Sequence, residues 1–532
     1  MGTLSRWRDR SFDFDQAWVC GLTFTAVVLF TWNLGGLPLR DWDEGLVAQV
    51  AREISQTGQW LYPTMWGEPY LNKPPLVHGL VAISYRLGGI NEWTARLPGA
   101  ILSALSVPLL YGIGREIFHR RSAAVCASLV YLTTLPVVRN GRLAMLDGTL
   151  VCFLLLLVWC ALRSRRNRQY ALGMGIALGL VCLTKGVMIG VLLGGITIVF
   201  LAWDTPRLLR SGYLWLGALL GSMPVVGWYG AQWLHYGQLF WGNNLVNQSF
   251  LRILTDVESN GGPPWFYLLE LLKHNIPWLV FLPLGCKLAW ENRSLSWAKL
   301  AIVWSSLYLV AISLMATKLP WYILPLYPAL ALLEGAALVE LWQQGKHIGT
   351  PQFPAPLYDR VWMGLFALLA VAGWVGFGYF GWWSEPPQPD LQLLFAAVAL
   401  TMSTVSILLA QQDAQFLPVL IWGTFLSLLL FVSSDHWVWE LAEAYPVKPV
   451  AAILQQVPAK QKIYTSYPYN RPSLNFYSEH LVLPADAKQL KQQWRRETQP
   501  YLLLDQAAID SLKLKSAKPL GTAAGWTLVG KQ

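Results

Sequence analysis

Two aspartates and three lysines stand at or near the ends of long apolar runs, where a charged side chain costs free energy unless it has a task. Asp43 follows the first run, and Asp147 opens another. Lys73 and Lys318 each closely precede a proline, and Lys185 stands in a short turn between two runs. A carboxylate can accept the proton of an attacking hydroxyl, and a lysine ammonium is a compact cation suited to phosphate oxygens. The set therefore predicts chemistry on a phosphorylated substrate held in a membrane.

Several charged residues in these segments also have an interpretation without chemistry, although a capping box does not explain Asp43. Asp41 and Glu44 have the spacing of a capping box, and Asp147 stands where an N-cap would begin a helix. Lys73 would equally suit the membrane interface, with its ammonium among the headgroups. Arg142 adds a further cation shortly before Asp147. The sequence contains no Walker A loop, Rossmann glycine fingerprint, HExxH metal motif or GxSxG nucleophile motif.

The chain around these residues has the composition of a membrane protein. Of its 532 residues, 54% are hydrophobic and 13% are charged, against about 45–50% and about 25% in soluble domains. This composition excludes a soluble enzyme, a disordered chain and a fibrous protein. Basic loops on the cytoplasmic side explain the net charge of +10 better than nucleic-acid binding does. The cysteines lie in or beside apolar runs, which is typical of small buried residues: Cys20, Cys126, Cys152, Cys160, Cys182 and Cys286.

Apolar runs of span length predict about thirteen transmembrane helices. The first run follows the basic segment 6–10 without a small-residue cleavage site before Asp41, so we expect an uncleaved signal anchor. The piece 76–90 is short and contains His78 and Arg86, so we expect it to be interfacial or re-entrant. The predicted spans are 16–36, 97–114, 122–138, 148–162, 169–184, 187–203, 212–230, 265–285, 297–316, 320–342, 361–383, 391–410 and 415–433.

Lysine and arginine predict the orientation of these spans. With the N-terminus in the cytoplasm, every strongly basic short loop falls on the cytoplasmic side, as the positive-inside rule requires. These basic loops are 115–121, 163–168, 207–210, 287–293 and 346–360. The outer segments that remain are the first outer loop 37–96, then 139–147, 231–264 and 316–320.

The C-terminal region differs in character from the spans. Its apolar stretches shorten to strand length, and an amphipathic stretch lies between two of them, which predicts a small α/β domain outside the membrane. The fold class is therefore an α-helical polytopic membrane protein with a C-terminal extracytoplasmic α/β domain. The predicted domains are 1–435, which includes the first outer loop, and 436–532.

Several short motifs resemble those of one known family in their order and spacing. The chain is similar to the polyprenyl-phosphate-sugar-dependent GT-C glycosyltransferases, the group that holds the ArnT-type aminoarabinose lipid A transferases and relatives of the protein O-mannosyltransferases. The likeness covers roughly residues 15–345 with specific motifs and is architectural beyond them. The motifs include Asp43-Glu44-Gly45, Gly67-Glu68-Pro69-Tyr70, Lys73-Pro74-Pro75-Leu76, Leu146-Asp147-Gly148, Leu183-Thr184-Lys185-Gly186, Pro264-Trp265-Phe266-Tyr267 and Lys318-Leu319-Pro320-Trp321-Tyr322.

The resemblance implies a function and a role for individual residues. The enzyme would transfer a sugar from a polyprenyl phosphate, undecaprenyl phosphate in a bacterium, to a lipid, glycan or protein acceptor, with inversion at the anomeric carbon. The reaction would take place on the outer face of the inner or plasma membrane. Asp43 would be the catalytic carboxylate, and Asp147 a second acid near the acceptor. The residues implied around the carrier phosphate are Tyr70, Lys73, Lys318 and Tyr322, with Glu44, Arg142 and Lys185 as further candidates.

Three positions depart from the aminoarabinose transferases. Asn72 stands where those enzymes have an acid implicated in metal binding, and Asn260 stands where they have a histidine. Leu46 replaces an arginine three residues after the catalytic aspartate. We therefore expect no zinc site of that kind, while a different divalent metal stays open. The departures also favour a different sugar or acceptor.

Two other functions compete with the enzyme. A transporter or lipid flippase would carry charges at mid-membrane depth in several spans, whereas here the charges gather at the outer ends, which favours the enzyme. In a non-catalytic scaffold for envelope assembly, Asp43 and Asp147 would be helix caps only.

Overall fold

A computed structural model describes residues 2–257, 260–346, 357–443, 445–458 and 461–531. The chain divides into two compact units. The helical unit comprises Met1–Asn33, Leu71–Leu76 and Gly99–Trp437, and the mixed unit comprises Leu34–Tyr70, Val77–Pro98 and Val438–Gln532. The first outer loop thus groups mainly with the C-terminal region, although the sequence led us to expect it with the membrane domain.

The helical unit consists of α-helices with short 3₁₀ and π segments. Helix Glu92–Ile117 starts in the mixed unit and continues into this one. The other α-helices are Gly2–Thr31, Arg121–Leu132, Leu135–Arg142, Leu146–Arg163, Tyr170–Lys185, Val187–Asp204, Gly212–Tyr236, Gln238–Phe240, Leu251–Leu254, Phe266–His274, Leu282–Glu291, Ser296–Leu314, Tyr327–Lys346, Leu357–Gly378, Pro389–Ala410 and Phe416–Ser433. The 3₁₀ helices are Pro206–Arg210, Trp278–Phe281 and Pro320–Leu326, and the π-helices are Trp241–Phe250 and Tyr379–Trp383.

Among the described residues, ten helices are long and apolar enough to cross a membrane, or eleven if one bent pair counts as a single span. These ten coincide with ten of the thirteen predicted spans, so the chain is a multi-pass membrane protein. The helix at Leu76–Gly88 has 13 residues, which is too short to cross a bilayer.

The other three predicted spans are shorter or interrupted. Run 122–138 forms two helices that meet at 58°, and Pro136 stands at the start of the second, where proline is tolerated. Run 169–184 forms a 16-residue helix. Run 265–285 breaks into two short α-helices around a 3₁₀ turn; Pro277 directly precedes the turn, and Pro283 lies in the first turn of the second helix. A count based on hydropathy alone does not register these interruptions.

Four glycines set the contact between helices Tyr170–Lys185 and Gly212–Tyr236. A Cβ added to Gly175 would lie 1.9 Å from the carbonyl carbon of Gly217, and one added to Gly179 would lie 2.2 Å from the carbonyl oxygen of Gly221. Small residues let helix backbones approach this closely in membrane proteins. The contact fixes the position of the first helix and therefore of Lys185 at its end.

Ion pairs connect several helices at one end of the helical unit, which we call the basic end. The pairs come from the loops that were predicted to be basic and cytoplasmic, although residues 347–356 of the last loop lie outside the described residues. The pairs are Asp15–Arg115 at 3.0 Å, Glu116–Arg163 at 2.7 Å and Asp204–Arg165 at 3.0 Å.

The mixed unit contains a five-stranded sheet and short helices. The sheet order is Val482–Pro484, Ile463–Thr465, Tyr501–Asp505, Trp526–Lys531 and Ala517–Ala523; the first three strands are parallel and the last two pair antiparallel to their neighbours. The α-helices are Asp43–Thr57, Leu76–Gly88, Val447–Leu454, Pro472–Ser478, Ala487–Arg496 and Gln506–Leu512. Leu76, the first residue of the second of these helices, belongs to the helical unit. The mixed unit also contains a 3₁₀ helix at Trp439–Glu443 and a small hairpin of Thr64–Met65 and Glu68–Pro69. The predicted α/β character of the C-terminal region is confirmed, including the amphipathic helix, which Asp486 and Gln489 close with a capping box.

Candidate active site

Asp147 and Lys185 form an ion pair within the helical unit. Asp147 lies in the first turn of helix Leu146–Arg163, and Lys185 is the last residue of helix Tyr170–Lys185. The N-cap of helix Leu146–Arg163 is Met145, and no side chain caps this helix, so the capping interpretation of Asp147 is wrong. The side chain of Asp147 is 4% exposed and that of Lys185 is 15% exposed, and the carboxylate accepts a hydrogen bond from the ammonium. Each charge also suits its own helix end, because the helix dipole favours an anion at the start and a cation at the finish.

Tyr322 and Arg252 extend this pair into a cluster. The ammonium of Lys185 lies 4.7 Å from the centroid of the Tyr322 ring. Arg252 Nη1 donates a hydrogen bond of 3.2 Å to the hydroxyl oxygen of Tyr322. We call these four residues, Asp147, Lys185, Arg252 and Tyr322, the Asp147 cluster. It combines one carboxylate, two cations and one phenol.

Backbone pairing holds Arg252 and Tyr322 in place. The N–H of Thr317 donates to the carbonyl of Arg252 at 3.2 Å, and the N–H of Lys318 donates to the carbonyl of Asn260 at 2.7 Å. The Tyr308 hydroxyl donates to the carbonyl of Tyr322 at 2.8 Å. The backbone of Thr317 and Lys318 thus holds both helix Leu251–Leu254, which carries Arg252, and Asn260.

Arg252 is the member of the cluster that the sequence analysis did not identify. It stands between Leu251 and Ile253 within the outer segment 231–264. The sequence did contain a signal for this residue, because a charged arginine stands between two apolar residues in a segment assigned to the outer face. The four lysine and arginine positions singled out at that face did not include it.

Lys318 has a different environment from the one expected. Its ammonium donates to the carbonyls of Ile312 at 3.1 Å and Ser313 at 2.6 Å, and also to that of Met315. These carbonyls end helix Ser296–Leu314, where a lysine can satisfy the last acceptors. Lys318 is 4% exposed, and desolvation lowers the pKa of its ammonium. In this structure Lys318 therefore closes a helix end, which differs from the phosphate contact implied by the resemblance.

Arg142 also binds carbonyls. Its two terminal nitrogens donate to the carbonyls of Leu29 and Trp32, each at 2.7 Å, and its guanidinium lies 4.6 Å from the ring centroid of Trp437. The residue is fully buried. This expected cation of the outer face therefore terminates the first helix, Gly2–Thr31.

Asn72 and Lys73 lie in the segment of the helical unit that precedes two prolines. The buried Asn244 donates its side-chain amide to the carbonyls of Leu71 at 3.0 Å and Asn72 at 3.3 Å. Lys73 is half-buried. Its backbone is thus anchored on one side by Asn244 and on the other by the restricted conformation before a proline.

Asp43 is the first residue of helix Asp43–Thr57 in the mixed unit. Its side chain is 34% exposed and lies 4.0 Å from Arg40. The N-cap is Trp42, which has φ of 64° and provides no side-chain bond, so the expected capping box of Asp41 and Glu44 is wrong. Asp41 instead binds Arg471, and Glu44 binds Arg96.

Glu44 forms a fully buried ion pair with Arg96. The two nitrogen–oxygen distances are both 2.8 Å, and Glu44 also accepts the N–H of Arg40 at 2.8 Å. Arg96 donates to the carbonyls of Leu34 and Leu37 as well. This bonding gives Glu44 a structural role in holding the first outer loop.

Tyr70 ends the part of the first outer loop that carries Asp43. It is 6% exposed, and its ring meets that of His78 edge-on at 5.1 Å. Burial raises the pKa of the Tyr70 phenol well above its usual value, and the negative charge of Asp43 raises it further. Tyr70 therefore acts as a neutral hydroxyl.

No group of three or more His, Cys, Asp or Glu side chains that would suit a metal occurs among the described residues. The positions at which the resemblance implies ligands are Asn72 and Asn260, whose carboxamides are weak ligands for zinc. The residues present do not fit that zinc site.

Comparison with known proteins supports the resemblance drawn from the sequence. The family model described as dolichyl-phosphate-mannose-protein mannosyltransferase matches residues 72–229. The undecaprenyl phosphate-alpha-4-amino-4-deoxy-L-arabinose arabinosyl transferase 2 of Pseudomonas fluorescens (strain Pf0-1) is 28% identical over 403 residues, which is 68% of this chain and 72% of that protein. The corresponding transferase 1 of strain Pf-5 is 30% identical over 316 residues, 57% of this chain and 56% of that relative.

The crystal structure of ArnT from Cupriavidus metallidurans bound to undecaprenyl phosphate has a TM-score of 0.76 at 19% identity, over 97% of this chain and 98% of that one. At this identity the likeness establishes the fold. The chain is an integral-membrane protein of the GT-C fold, and the matches together support a glycosyltransferase of the class that uses polyprenyl-phosphate sugars.

Proposed function

We propose that the chain transfers a sugar from undecaprenyl phosphate or a similar polyprenyl phosphate to an acceptor of the cell envelope, with inversion at the anomeric carbon. The observation that carries this proposal is the Asp147 cluster. Lys185 binds the carboxylate of Asp147, its ammonium lies beside the Tyr322 ring, and Arg252 binds the Tyr322 hydroxyl. A connected set of two cations and a phenol suits a phosphorylated lipid.

In the proposed reaction, Lys185 and Arg252 stabilise the phosphate that leaves. An acceptor oxygen attacks the anomeric carbon, the bond from that carbon to the phosphate oxygen breaks, and polyprenyl phosphate departs with the bonding electrons. The developing charge falls on phosphate oxygens, so cations contribute more than a general acid would. Tyr322 accepts from Arg252, which leaves its own hydroxyl hydrogen to donate to a phosphate oxygen.

Asp43 is proposed as the base that takes the proton of an acceptor hydroxyl. Its side chain is 34% exposed at the start of a helix. This exposure suits a group that must reach a substrate. Lys73 and the neutral Tyr70 are proposed as further contacts of the donor, and Asp147 as the acid that orients Lys185.

We further propose that the Asp147 cluster faces the extracytoplasmic side of the inner membrane. Helix Leu146–Arg163 carries Asp147 at its start and Arg163 at its end, sixteen residues later, or about 24 Å along the axis. Arg163 belongs to the basic end, which the positive-inside rule assigns to the cytoplasm. The C-terminal domain, 436–532, and the first outer loop are proposed to share the outer side.

The sugar is proposed to differ from the aminoarabinose named for the relatives, because Leu46, Asn72 and Asn260 depart from the pattern of those enzymes. The acceptor is proposed to be a lipid, a glycan or a protein of the envelope.

The test uses purified protein in detergent with radiolabelled undecaprenyl-phosphate hexoses and pentoses and a membrane extract as acceptor source. Transfer by the wild type, lost in Asp43→Asn and Arg252→Gln and kept in Lys299→Gln at the basic end, would support the proposal. Failure of the well-folded wild type to consume any such donor would contradict it.

A further inference from the structure

We propose that Asp41 and Arg471 form a clamp through which the C-terminal region positions Asp43 for catalysis. All residues of the clamp belong to the mixed unit. The inference rests on the proposed role of Asp43 as the base, and it gives the C-terminal region a role in catalysis. Asp41 and Arg471 are positioning residues, since they act through Asp43.

The carboxylate of Asp41 accepts hydrogen bonds from one short segment of the C-terminal region. Arg471 Nε donates to Oδ2 at 2.7 Å, and the Ser473 backbone N–H donates to Oδ1 at 3.1 Å. The Ser473 hydroxyl donates to the same oxygen. Both donor residues lie at the start of helix Pro472–Ser478. One charge-assisted bond to Oδ2 and two bonds to Oδ1 hold the carboxylate in one orientation.

Arg471 is itself held by the surrounding side chains. Its Nη1 donates to the carbonyl of Tyr445 at 3.1 Å, and its guanidinium lies 3.9 Å from the Tyr445 ring centroid and 5.5 Å from that of Tyr467. The side chain is 5% exposed. An arginine held in this way has little freedom to move. It therefore determines the position of Asp41, which it binds.

The backbone between the clamp and Asp43 is strained. Trp42 has φ of 64° and ψ of −96°, a conformation that bulky side chains rarely adopt. Asp41 is fixed on one side of Trp42, and Glu44 is fixed by Arg96 on the other. Strain of this kind persists only where neighbouring contacts over-determine the backbone. Asp43 stands between the two fixed points, directly after the strained residue.

Two arginines connect the first outer loop to helix Pro472–Ser478, which provides a matched control. Arg52 donates to the carbonyl of Phe476 at 2.8 Å and its guanidinium lies 3.9 Å from the ring centroid of that residue. Arg52 is nine residues after Asp43, about 14 Å along the helix axis. Arg52→Lys therefore weakens the same attachment without altering the turn that carries Asp43.

The experiment compares Asp41→Asn, Arg471→Lys and Arg52→Lys for turnover, KM of the polyprenyl-phosphate sugar and melting temperature in detergent. Misplacement of a reacting group by about 1 Å can cost about 10²-fold in rate. We expect kcat to fall about 10- to 10²-fold in the first two variants, with KM for the donor within about twofold, and to stay near wild type in Arg52→Lys. Equal losses of kcat in all three variants would overturn the clamp, because they would indicate general attachment.

A double-mutant cycle separates positioning from stability. Because Asp41 acts through Asp43, Asp41→Asn should cause no further loss of the residual turnover in an Asp43→Asn background. A full additional loss there would contradict the inference. Full turnover in Asp43→Asn alone would remove the proposed role of Asp43, whereas an inactive Asp43→Asn beside an unaffected Asp41→Asn would remove only the clamp.

Discussion

The ammonium of Lys185 binds the carboxylate of Asp147 and lies 4.7 Å from the ring centroid of Tyr322. One cation thus contacts a carboxylate and an aromatic face at the same time. A lysine at the end of a helix, held in this way, has little freedom to turn away, which suits the proposed contact with a phosphate.

Replacing Lys185 should abolish much of the activity, and turnover is compared per folded protein because the change also leaves the buried Asp147 without its cation. We expect Lys185→Met to lower kcat about 10²- to 10³-fold, the usual result of removing one preorganised donor. Lys299 is the matched control, because it also pairs with an aspartate, Asp204 at 3.6 Å, and lies 5.9 Å from the ring centroid of Trp203. Steady-state transfer assays compare the kcat of Lys185→Met with that of Lys299→Gln. Equal losses of kcat would contradict a specific role for Lys185, because loss of a lysine–aspartate pair elsewhere in the helical unit would have the same effect.

Arg252 should be required for its guanidinium shape as well as for its charge. Arg252→Gln removes a cation from the cluster, and we expect kcat/KM for the lipid donor to fall about 10²-fold. Arg252→Lys keeps the charge but loses the planar fork, so its loss should be smaller. Arg293→Gln, at an exposed arginine outside the cluster, is the control. A wild-type donor KM and kcat in Arg252→Gln would exclude the residue from the site.

Lys318 should contribute to stability more than to donor binding. Lys318→Met leaves the carbonyls at the end of helix Ser296–Leu314 without their donor, at a cost of about 1–3 kcal/mol. The expected result is a lower melting temperature in detergent with an unchanged donor KM. A raised donor KM at unchanged stability would restore the phosphate role that the resemblance implies.

Breaking the pair of Glu44 and Arg96 should destabilise the first outer loop. Both side chains are 0% exposed, so Arg96→Met leaves a buried carboxylate without its partner, which typically costs about 3–5 kcal/mol. Thermal unfolding and limited proteolysis of the loop measure this loss. If Glu44→Gln lowers kcat while the melting temperature stays at the wild-type value, Glu44 is catalytic and its structural assignment is wrong.

Tyr70 should add no ionisation to the pH dependence of turnover. Because burial and the charge of Asp43 raise the pKa of its phenol, the group stays protonated below its ordinary pKa, near pH 10, and beyond it. We expect Tyr70→Phe to lower the rate but to leave the alkaline limb of the pH–rate profile in place. Disappearance of that limb in Tyr70→Phe would show that the phenolate forms in the working range.

The membrane architecture was largely predictable because hydropathy and basic residues act over whole segments. Ten predicted spans are continuous helices, whereas the run 265–285 is interrupted before Pro277 and changes from a 3₁₀ turn to an α-helix just before Pro283. An apolar run reports the free energy of transfer into lipid and carries no information on backbone continuity. The prolines were visible, but their effect depends on how neighbouring helices satisfy the freed backbone groups.

The candidate site was predictable in residue type but not in pairing. Asp147 and Lys185 were both identified, yet they are 38 residues apart, and spacing of that length specifies no contact. Lys318 looked equivalent to Lys185 because both stand in turns at one face. The structure separates them by their acceptors: a carboxylate for one and the carbonyls of a helix end for the other. Arg252 went unidentified because its partner, Tyr322, is 70 residues away.

The glycine contact between helices Tyr170–Lys185 and Gly212–Tyr236 has a genetic consequence. Since backbone atoms of one helix occupy the space that a Cβ on the other would need, the two helices fit in a single register. A slide by one position would bring Cβ-bearing residues into that space and move Lys185 away from Asp147. Gly175 and Gly179 stand ten and six residues before Lys185. Alanine alleles at these glycines are therefore expected to resemble null alleles, although they would alter no residue that touches a substrate.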